Sequence, residues 1–275
     1  DIATVEVLKD ASATAIWGTQ GANGVLVITT KKGTVGKTRF SFSSKWTTKI
    51  EPKNIPMLNG DEYTALMQEG IWNSAKYTGL DNASNPYLNL LFNTPVIGYT
   101  PGFQYFNEYN QDVDWLDYVR QTALTSDNNF SMSGGGEKAT YRFSLGYLNE
   151  GGTTIGTGLT RLSSLLDITY RFSDKLKFTV TASYSQSDKD DNYFNVRSEA
   201  FDKMPNKSPY YIDPKTGERT SQYFSHYEAD AIDPKFTTDG SKGNNYNPVA
   251  MAKEGKNNTI QRESKMNFRA EYRIL

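Results

Sequence analysis

Leu176-Lys177-Phe178-Thr179-Val180-Thr181-Ala182-Ser183-Tyr184-Ser185 alternates apolar and polar side chains without a break. A period of two belongs to a pleated strand with one dry face and one wet face. The same period recurs on both sides of it. In 161–173, Leu162, Ser164, Leu166, Ile168, Tyr170 and Phe172 oppose Arg161, Ser163, Leu165, Asp167, Thr169 and Arg171. In 140–148, Tyr141, Phe143, Leu145 and Tyr147 oppose Arg142, Ser144 and Gly146. Segments 39–50 and 265–275 repeat the pattern, the first through Phe40, Phe42, Trp46 and Ile50, the second through Met266, Phe268, Ala270, Tyr272 and Ile274. A shorter strand is expected at 129–133.

The connections alternate in length. Tight turns are expected at 134–138 and 173–175, with a longer glycine-rich loop at 149–160 between them. Two long segments, 51–128 and 186–259, complete the series. Short connections therefore fall at one end of the strands and long ones at the other, an asymmetry of outer-membrane β-barrels. A soluble β-sandwich also alternates and stays open on pattern alone. Two details favour the barrel. The polar faces carry charge in mid-strand, as a wet lumen allows, and the apolar faces are aromatic near their ends, as interfacial girdles require. About ten residues at ~3.4 Å each, tilted by ~40°, span about 26 Å, the height of the apolar band of such a barrel.

Composition narrows the function. In 275 residues, 30 Lys and Arg balance 31 Asp and Glu for a net charge of −1, which excludes the basic footprint of a nucleic-acid binder. With 0 Cys there is no disulfide scaffold, iron–sulfur centre, zinc–cysteine site or thiol nucleophile, and a single histidine, His226, builds no multi-histidine metal site. Hydrophobic residues are 37%, mean hydropathy is −0.63 and aromatics reach 13%; the longest aliphatic run is Val25-Leu26-Val27-Ile28, far short of the roughly 20 apolar residues of a membrane-crossing helix.

The first residues read differently. Thr4 to Lys9 can be a strand, Asp10 to Trp17 a short helix capped by Asp10 and stopped by Gly18, and Gly21 and Gly24 a turn into the β-branched, buried strand at 25–30. The stretch Val5-Glu6-Val7-Leu8-Lys9-Asp10-Ala11-Ser12-Ala13-Thr14-Ala15-Ile16-Trp17-Gly18, followed by Gly21-Ala22-Asn23-Gly24-Val25-Leu26-Val27-Ile28, closely resembles the end of the plug domain of SusC/RagA-type TonB-dependent outer-membrane transporters. Collinear matches follow at Pro56-Met57-Leu58-Asn59 with Glu62-Tyr63, Asp112-Val113-Asp114-Trp115, Ser131-Met132-Ser133-Gly134-Gly135, Ser144-Leu145-Gly146-Tyr147-Leu148, Phe172-Ser173-Asp174-Lys175-Leu176 and Asn247-Pro248-Val249-Ala250. Trp17 stands where the family usually has tyrosine.

That resemblance implies an all-β fold: about six strands of a 22-stranded transmembrane antiparallel barrel in 37–275, preceded by the C-terminal part of an α+β plug in 1–36. It identifies Asp10, Ala11, Trp17, Gly18, Gly21, Asn23 and Gly24 as plug-motif residues. It implies import of an oligosaccharide, with peptides the less common cargo, captured with a SusD-like surface lipoprotein and energised by a TonB complex. A dimer of barrels set in outer-membrane lipid, with no enzymatic step and no cofactor, belongs to the same expectation. Because Asp1 is not a methionine and no secretory signal is present, the chain reads as a segment of a longer protein. A soluble or surface-exposed glycan-binding β-protein is the alternative.

Other motifs weigh less. Gly33-Thr34-Val35-Gly36-Lys37-Thr38 looks like a phosphate loop, but Lys31 stands where the first glycine belongs, so it reads as the turn from plug to barrel. Asp188-Lys189-Asp190-Asp191-Asn192 and Asp239-Gly240-Ser241 could place calcium ligands on loops, without the glycine and distal glutamate that a calcium loop needs. His226 reads as a solvated loop histidine. For sugar binding the aromatic, amide-rich stretch 98–110 is the sharpest candidate, with Tyr99, Phe103, Tyr105, Phe106 and Tyr109 as contact residues; packing of the loop onto the barrel rim is its other reading. In a barrel, Arg142, Asp167, Arg171, Arg269, Glu271 and Arg273 line the lumen.

Overall fold

In the computed structural model, which describes residues 2–10, 12, 15–52, 56–77, 105–224 and 247–274, two strands, β1 (Ile2–Leu8) and β2 (Val25–Thr30), pair by themselves. The alternating segments form a second, larger sheet. Its members are β3 (Gly36–Lys49), β4 (Ala123–Gly135), β5 (Ala139–Gly151), β6 (Gly158–Arg171), β7 (Leu176–Asp191) and β10 (Asn257–Tyr272). The order is β10-β7-β6-β5-β4-β3, antiparallel throughout. Six strands leave β3 and β10 as open edges.

Register carries the alternation across the whole sheet. Phe40 faces Met132, Met132 faces Phe143, and the row continues through Leu166, Ala182 and Met266. One residue along, Arg39 begins a row of Ser133, Arg142, Asp167, Thr181 and Asn267. One face of the sheet is therefore apolar and the other polar over six strands. A one-residue slip in any strand would move its apolar set to the wrong side, so the pattern itself fixes the pairing. Among the described residues, the strands carry charge on the apolar face only at Asp188, Asp190 and Arg262, all near the end that bears the long loops.

Strand ends differ from the expectation in a consistent direction. β4 runs 13 residues rather than five, β7 reaches Asp191 and β10 begins at Asn257. The long connections shrink to 50–122 and 192–256, and the 149–160 loop to a hairpin tip at 152–157. In these extensions polar residues dominate both faces, with Leu124 and Ile260 as isolated apolar positions, so the period of two fades from the sequence. Asn and Asp at 127–129 also have low strand propensity. The backbone ladder continues because each extension lies beside a partner already in register. This moves Asp188, Asp190 and Asp191 out of a loop and into a strand. Alternation sends Asp191 to the face opposite Asp188 and Asp190, and both of the latter accept from Asn258 Nδ2, at 2.5 and 2.9 Å. No group of three or more potential metal ligands occurs among the described residues.

The N-terminal unit keeps the expected order of strand, helix and strand, but the helical segment is displaced from 10–17 and Gly18 bends it instead of stopping it. A 3-10 helix, Ala15–Gly21, lies between β1 and β2 and is kinked at Gly18, whose φ of 58° suits glycine. Gly24 (φ 97°) donates to the Gly21 carbonyl at 2.9 Å and closes the turn into β2. Ser12 hydrogen-bonds the Asp10 carboxylate. Ala11 lies outside the described residues. The expected burial of 25–30 is not met: Leu26 and Ile28 are both more than half exposed, because β2 has β1 as its single neighbour and no described element covers either face. Gly33 then crosses β5 so closely that a Cβ there would lie 2.5 Å from the Tyr141 backbone, which glycine alone avoids.

The packed core sits in the loops rather than on the sheet. After β3 comes α1 (Gly60–Tyr77), longer than the 59–69 expected. Asn59 Oδ1 accepts from the Glu62 N–H at 2.8 Å and Glu62 Oε2 accepts from the Asn59 N–H at 3.0 Å, a reciprocal cap. Then come α2 (Phe106–Tyr109) and α3 (Trp115–Val119), capped by Asp114, whose side chain accepts from the Leu116 N–H. The β7–β10 connection holds α4 (Val196–Phe201), a hairpin of β8 (Tyr210–Ile212) and β9 (Arg219–Tyr223), and α5 (Pro248–Glu254). Helices α3, α4 and α5 pack together around Val113, Trp115, Val119, Val196, Ala200, Val249 and Ala252. None of the described helices is long and apolar enough to cross a membrane.

Candidate functional site

Two surfaces carry polar side chains in an ordered arrangement: the polar face of the sheet and the loop module above it. On the sheet, Asp167 is 1% exposed and Thr181 Oγ1 donates to its Oδ2 at 2.9 Å. Arg142 stands opposite Asp167 in register. Nearer the short turns, Glu271 accepts Lys177 Nζ at 2.7 Å and lies 3.9 Å from Arg269. Arg171 lies opposite Lys177, and the Arg273 N–H donates to the Lys175 carbonyl at 2.8 Å, just past the end of β10. All the expected charged residues therefore belong to one side of the sheet or its margin. At the loop end the same face adds ion pairs between Lys49 and Glu150 and between Lys189 and Asp191. Partly exposed pairs of this kind contribute at most ~1 kcal/mol each. Their consequence is an ion-paired polar face on which cations outnumber carboxylates.

Above this face, the hairpin tip 152–157 is where the loops meet. The Gln121 N–H donates to the Thr153 carbonyl, and the Ile155 N–H to the Val119 carbonyl, both at 2.8 Å. Asn192 Nδ2 donates to the Ile155 carbonyl at 2.9 Å. Gly156 (φ 79°) sits directly under the Ala252 carbonyl of α5, where a side chain would collide. Glu51, just past β3, pairs with both guanidinium nitrogens of Arg197, Nη2 to Oε2 at 2.7 Å, and accepts from Thr153 Oγ1 at 2.5 Å. One carboxylate thereby clamps the first long loop, the tip and α4.

The hydrogen bond from Arg197 holds the Glu51 carboxyl below the ordinary value of 4.5; partial burial opposes this, and Thr153 and the charge of Arg120 assist it. A lowered folded value means that the clamp contributes fully above pH 4.5 and is lost as pH falls through that lowered value. Arg197 is 44% exposed, so the contribution is about 1 kcal/mol, roughly fivefold in the open-to-closed ratio. Acid-protease cleavage of the loops should accelerate by that factor on acidification. Glu51→Gln should show the faster rate at every pH. Equal cleavage of the two proteins at about pH 5, where Glu51 is ionised and the protease still cuts, would remove the clamp from the account.

Three of the matched motifs, at 56–63, 112–115 and 247–250, act as locks in this module. Gly60 N–H donates to Asp112 Oδ1 at 3.2 Å, docking the start of α1. Trp115, 3% exposed, donates Nε1–H to the Met204 carbonyl at 2.9 Å. Asn247 Oδ1 caps α5, and its Nδ2 reaches the Pro209 and Phe224 carbonyls at 2.7 and 2.9 Å. Between these locks opens a cleft of about 590 Å³. Met57, Leu58, Leu116 and Phe201 give it apolar surface; Asp112, Asp114, Asp117 and Asp202 give it carboxylates beside Arg120 and Lys203. Such a lining accepts and donates hydrogen bonds around apolar patches, which is binding chemistry. The cleft was not legible as a site beforehand, although Asn59-x-x-Glu62 and Asp114 before Trp115 were available as helix-start signals.

Of the aromatic candidates, Tyr99 and Phe103 lie outside the described residues, as do His226 and Asp239-Gly240-Ser241. Tyr105 and Tyr109 pack on Phe224, with centroids 5.5 and 5.6 Å away. Tyr109 is 2% exposed and Lys207 Nζ lies 5.5 Å from its ring centroid. Its ring offers no open face, whereas Tyr105 stays half-buried at the edge of the cluster and Phe106, beside it in the chain, is also half-buried.

The comparisons with known proteins agree with the sheet and the motifs. No protein-family model matches the chain. TonB-dependent receptor SusC of Bacteroides thetaiotaomicron is 31% identical over 186 residues, 67% of this chain and 16% of the relative. TonB-dependent receptor P3 of Formosa agariphila is 32% identical over 176 residues, 62% of this chain and 14% of the relative. The RagAB peptide importer in its 'open-open' state superimposes with a TM-score of 0.59 at 27% identity, over 82% of this chain and 26% of that one. This chain belongs to the SusC/RagA-type TonB-dependent receptors. A SusC/RagA-type receptor is an outer-membrane protein of Gram-negative bacteria, and that is where this chain resides. It spans about a sixth of the length of the curated relatives it matches. The relatives are receptors and importers rather than enzymes.

Proposed function

We propose that the six-stranded sheet is part of the wall of a 22-stranded, plugged outer-membrane barrel that imports an oligosaccharide. In this reading the apolar face meets lipid and the ion-paired polar face lines the lumen. The N-terminal unit is the last piece of the plug, and Gly33 marks where the chain leaves it for the wall. The loop module stands outside the cell, its cleft beneath a SusD-like surface lipoprotein, and two such barrels pair. A TonB complex moves the plug and cargo passes inward, with no bond made or broken. The observation that carries the reading is the segregation of the two faces over six strands, with charge on the apolar face confined to Asp188, Asp190 and Arg262 near the loop end and every long connection at that end.

Peptide import is the second reading, favoured by the likeness to the RagAB peptide importer. Uptake of labelled oligosaccharides and labelled peptides by cells carrying the full-length gene decides between them, each run with and without TonB. TonB-dependent sugar uptake is expected. Peptide uptake alone would exchange the two readings, and uptake of neither would overturn both.

A further inference from the structure

We propose that the apolar face holds a phosphorylated lipid of the outer leaflet, its acyl chain in a shallow groove across β6, β7 and β10 and its phosphate on Arg262. The site rests on the barrel reading above.

The groove follows from side-chain size. Phe143, Leu166, Tyr184 and Met266 stand around a floor of Ala182 and Ser264, enclosing about 460 Å³. A dent in a lipid-facing wall is filled by hydrocarbon, because the neighbouring bilayer chains are the solvent there. Directly above it, on the same face, Arg262 Nε–H donates to Gln186 Oε1 at 3.2 Å, and that oxygen also accepts from Tyr184 Oη at 2.9 Å. The glutamine thus holds the guanidinium by its Nε edge. Nη1 and Nη2 remain for a bidentate contact, which suits a phosphate.

Height and charge agree. From Tyr272 at the lower margin, roughly ten residues at ~3.4 Å and ~40° tilt place Arg262 about 26 Å up, at the outer rim of the apolar band where phosphates lie. Among the described residues of the sheet strands, Arg262 is the one cation on this face. Asp188 and Asp190, further along β7, repel an anion bound any higher. An arginine facing hydrocarbon is costly unless it reaches polar groups at the rim, and an anionic headgroup supplies them.

Native mass spectrometry of the full-length receptor, extracted from outer membranes in mild detergent, counts the lipids retained per protein and identifies them by mass. The wild type should retain one phosphorylated lipid, whether a glycerophospholipid or a phosphorylated glycolipid. Arg262→Gln and Ala182→Phe, which fills the groove, should each lower that occupancy about tenfold. Both variants should remain in the outer-membrane fraction with unchanged heat-modifiable mobility. Equal retention by all three proteins overturns the proposal. So does loss with Ala182→Phe alone, which leaves a chain without a phosphate contact, and so does competition by inorganic phosphate that leaves the lipid in place. A wild-type protein absent from the outer-membrane fraction overturns the barrel reading itself.

Discussion

Phe268→Arg should strip most of the protein from the outer membrane, while Asn267→Arg, one residue away, should leave it there. Both side chains lie near the middle of β10, and Phe268 is 75% exposed on the apolar face. In lipid, an arginine at mid-depth costs about 2–4 kcal/mol, whereas a lumen-facing substitution costs little. In water the order would reverse, since replacing an exposed phenylalanine by arginine improves solubility. The pair therefore separates a membrane wall from a soluble β-protein without knowledge of any ligand. Outer-membrane abundance and urea resistance of the full-length protein are the readouts. Equal tolerance of both changes would mean that the apolar face does not meet lipid.

Trp115→Ala should loosen the loop module while sparing the wall. The indole fills the centre of the α3–α4–α5 core, and truncating such a ring costs about 3–5 kcal/mol. Trp115→Phe keeps most of the packing but leaves the Met204 carbonyl without its donor, which costs about 1–3 kcal/mol. On intact cells, external protease should cut the alanine variant fastest and the phenylalanine variant at an intermediate rate. Heat-modifiable mobility of the barrel should be unchanged in both. If all three proteins are cut alike, the loops do not depend on this core.

The wall was legible in the sequence because its physics is local. A residue's face follows from its parity, so Phe143 and Arg142 could be sent to opposite sides from one strand alone. Strand ends escaped because Gln186, Asp188 and Asp190 are polar on a face that lower down is apolar, and parity carries no information there. The loop module escaped for another reason. Trp115 finds Met204, 89 residues on, and Glu51 finds Arg197, 146 residues on, and no short-range pattern encodes such meetings. The aromatic run around Tyr105 and Tyr109 was visible as unusual, but composition does not distinguish a ring that packs on Phe224 from one that waits for a ligand. The motif Asn247-Pro248-Val249-Ala250 was visible as a resemblance; its reason, one side chain capping a helix while holding two carbonyls, needed coordinates.

The order of strands in the sheet also sets an order of assembly. Each wall strand lies beside the one before it in the chain, so β4, β5, β6 and β7 can zip hairpin by hairpin with short closures between them. The loops cannot begin that way, because their core joins segments from both long connections and the hairpin tip. Once the wall has formed, the roots of both connections are already neighbours, and the entropy of bringing them together has been spent on strand pairing. The wall is thus a template for the module above it. Shortening either long connection should spare the rate at which the strands assemble and slow only the last step, the closing of the helices over 152–157.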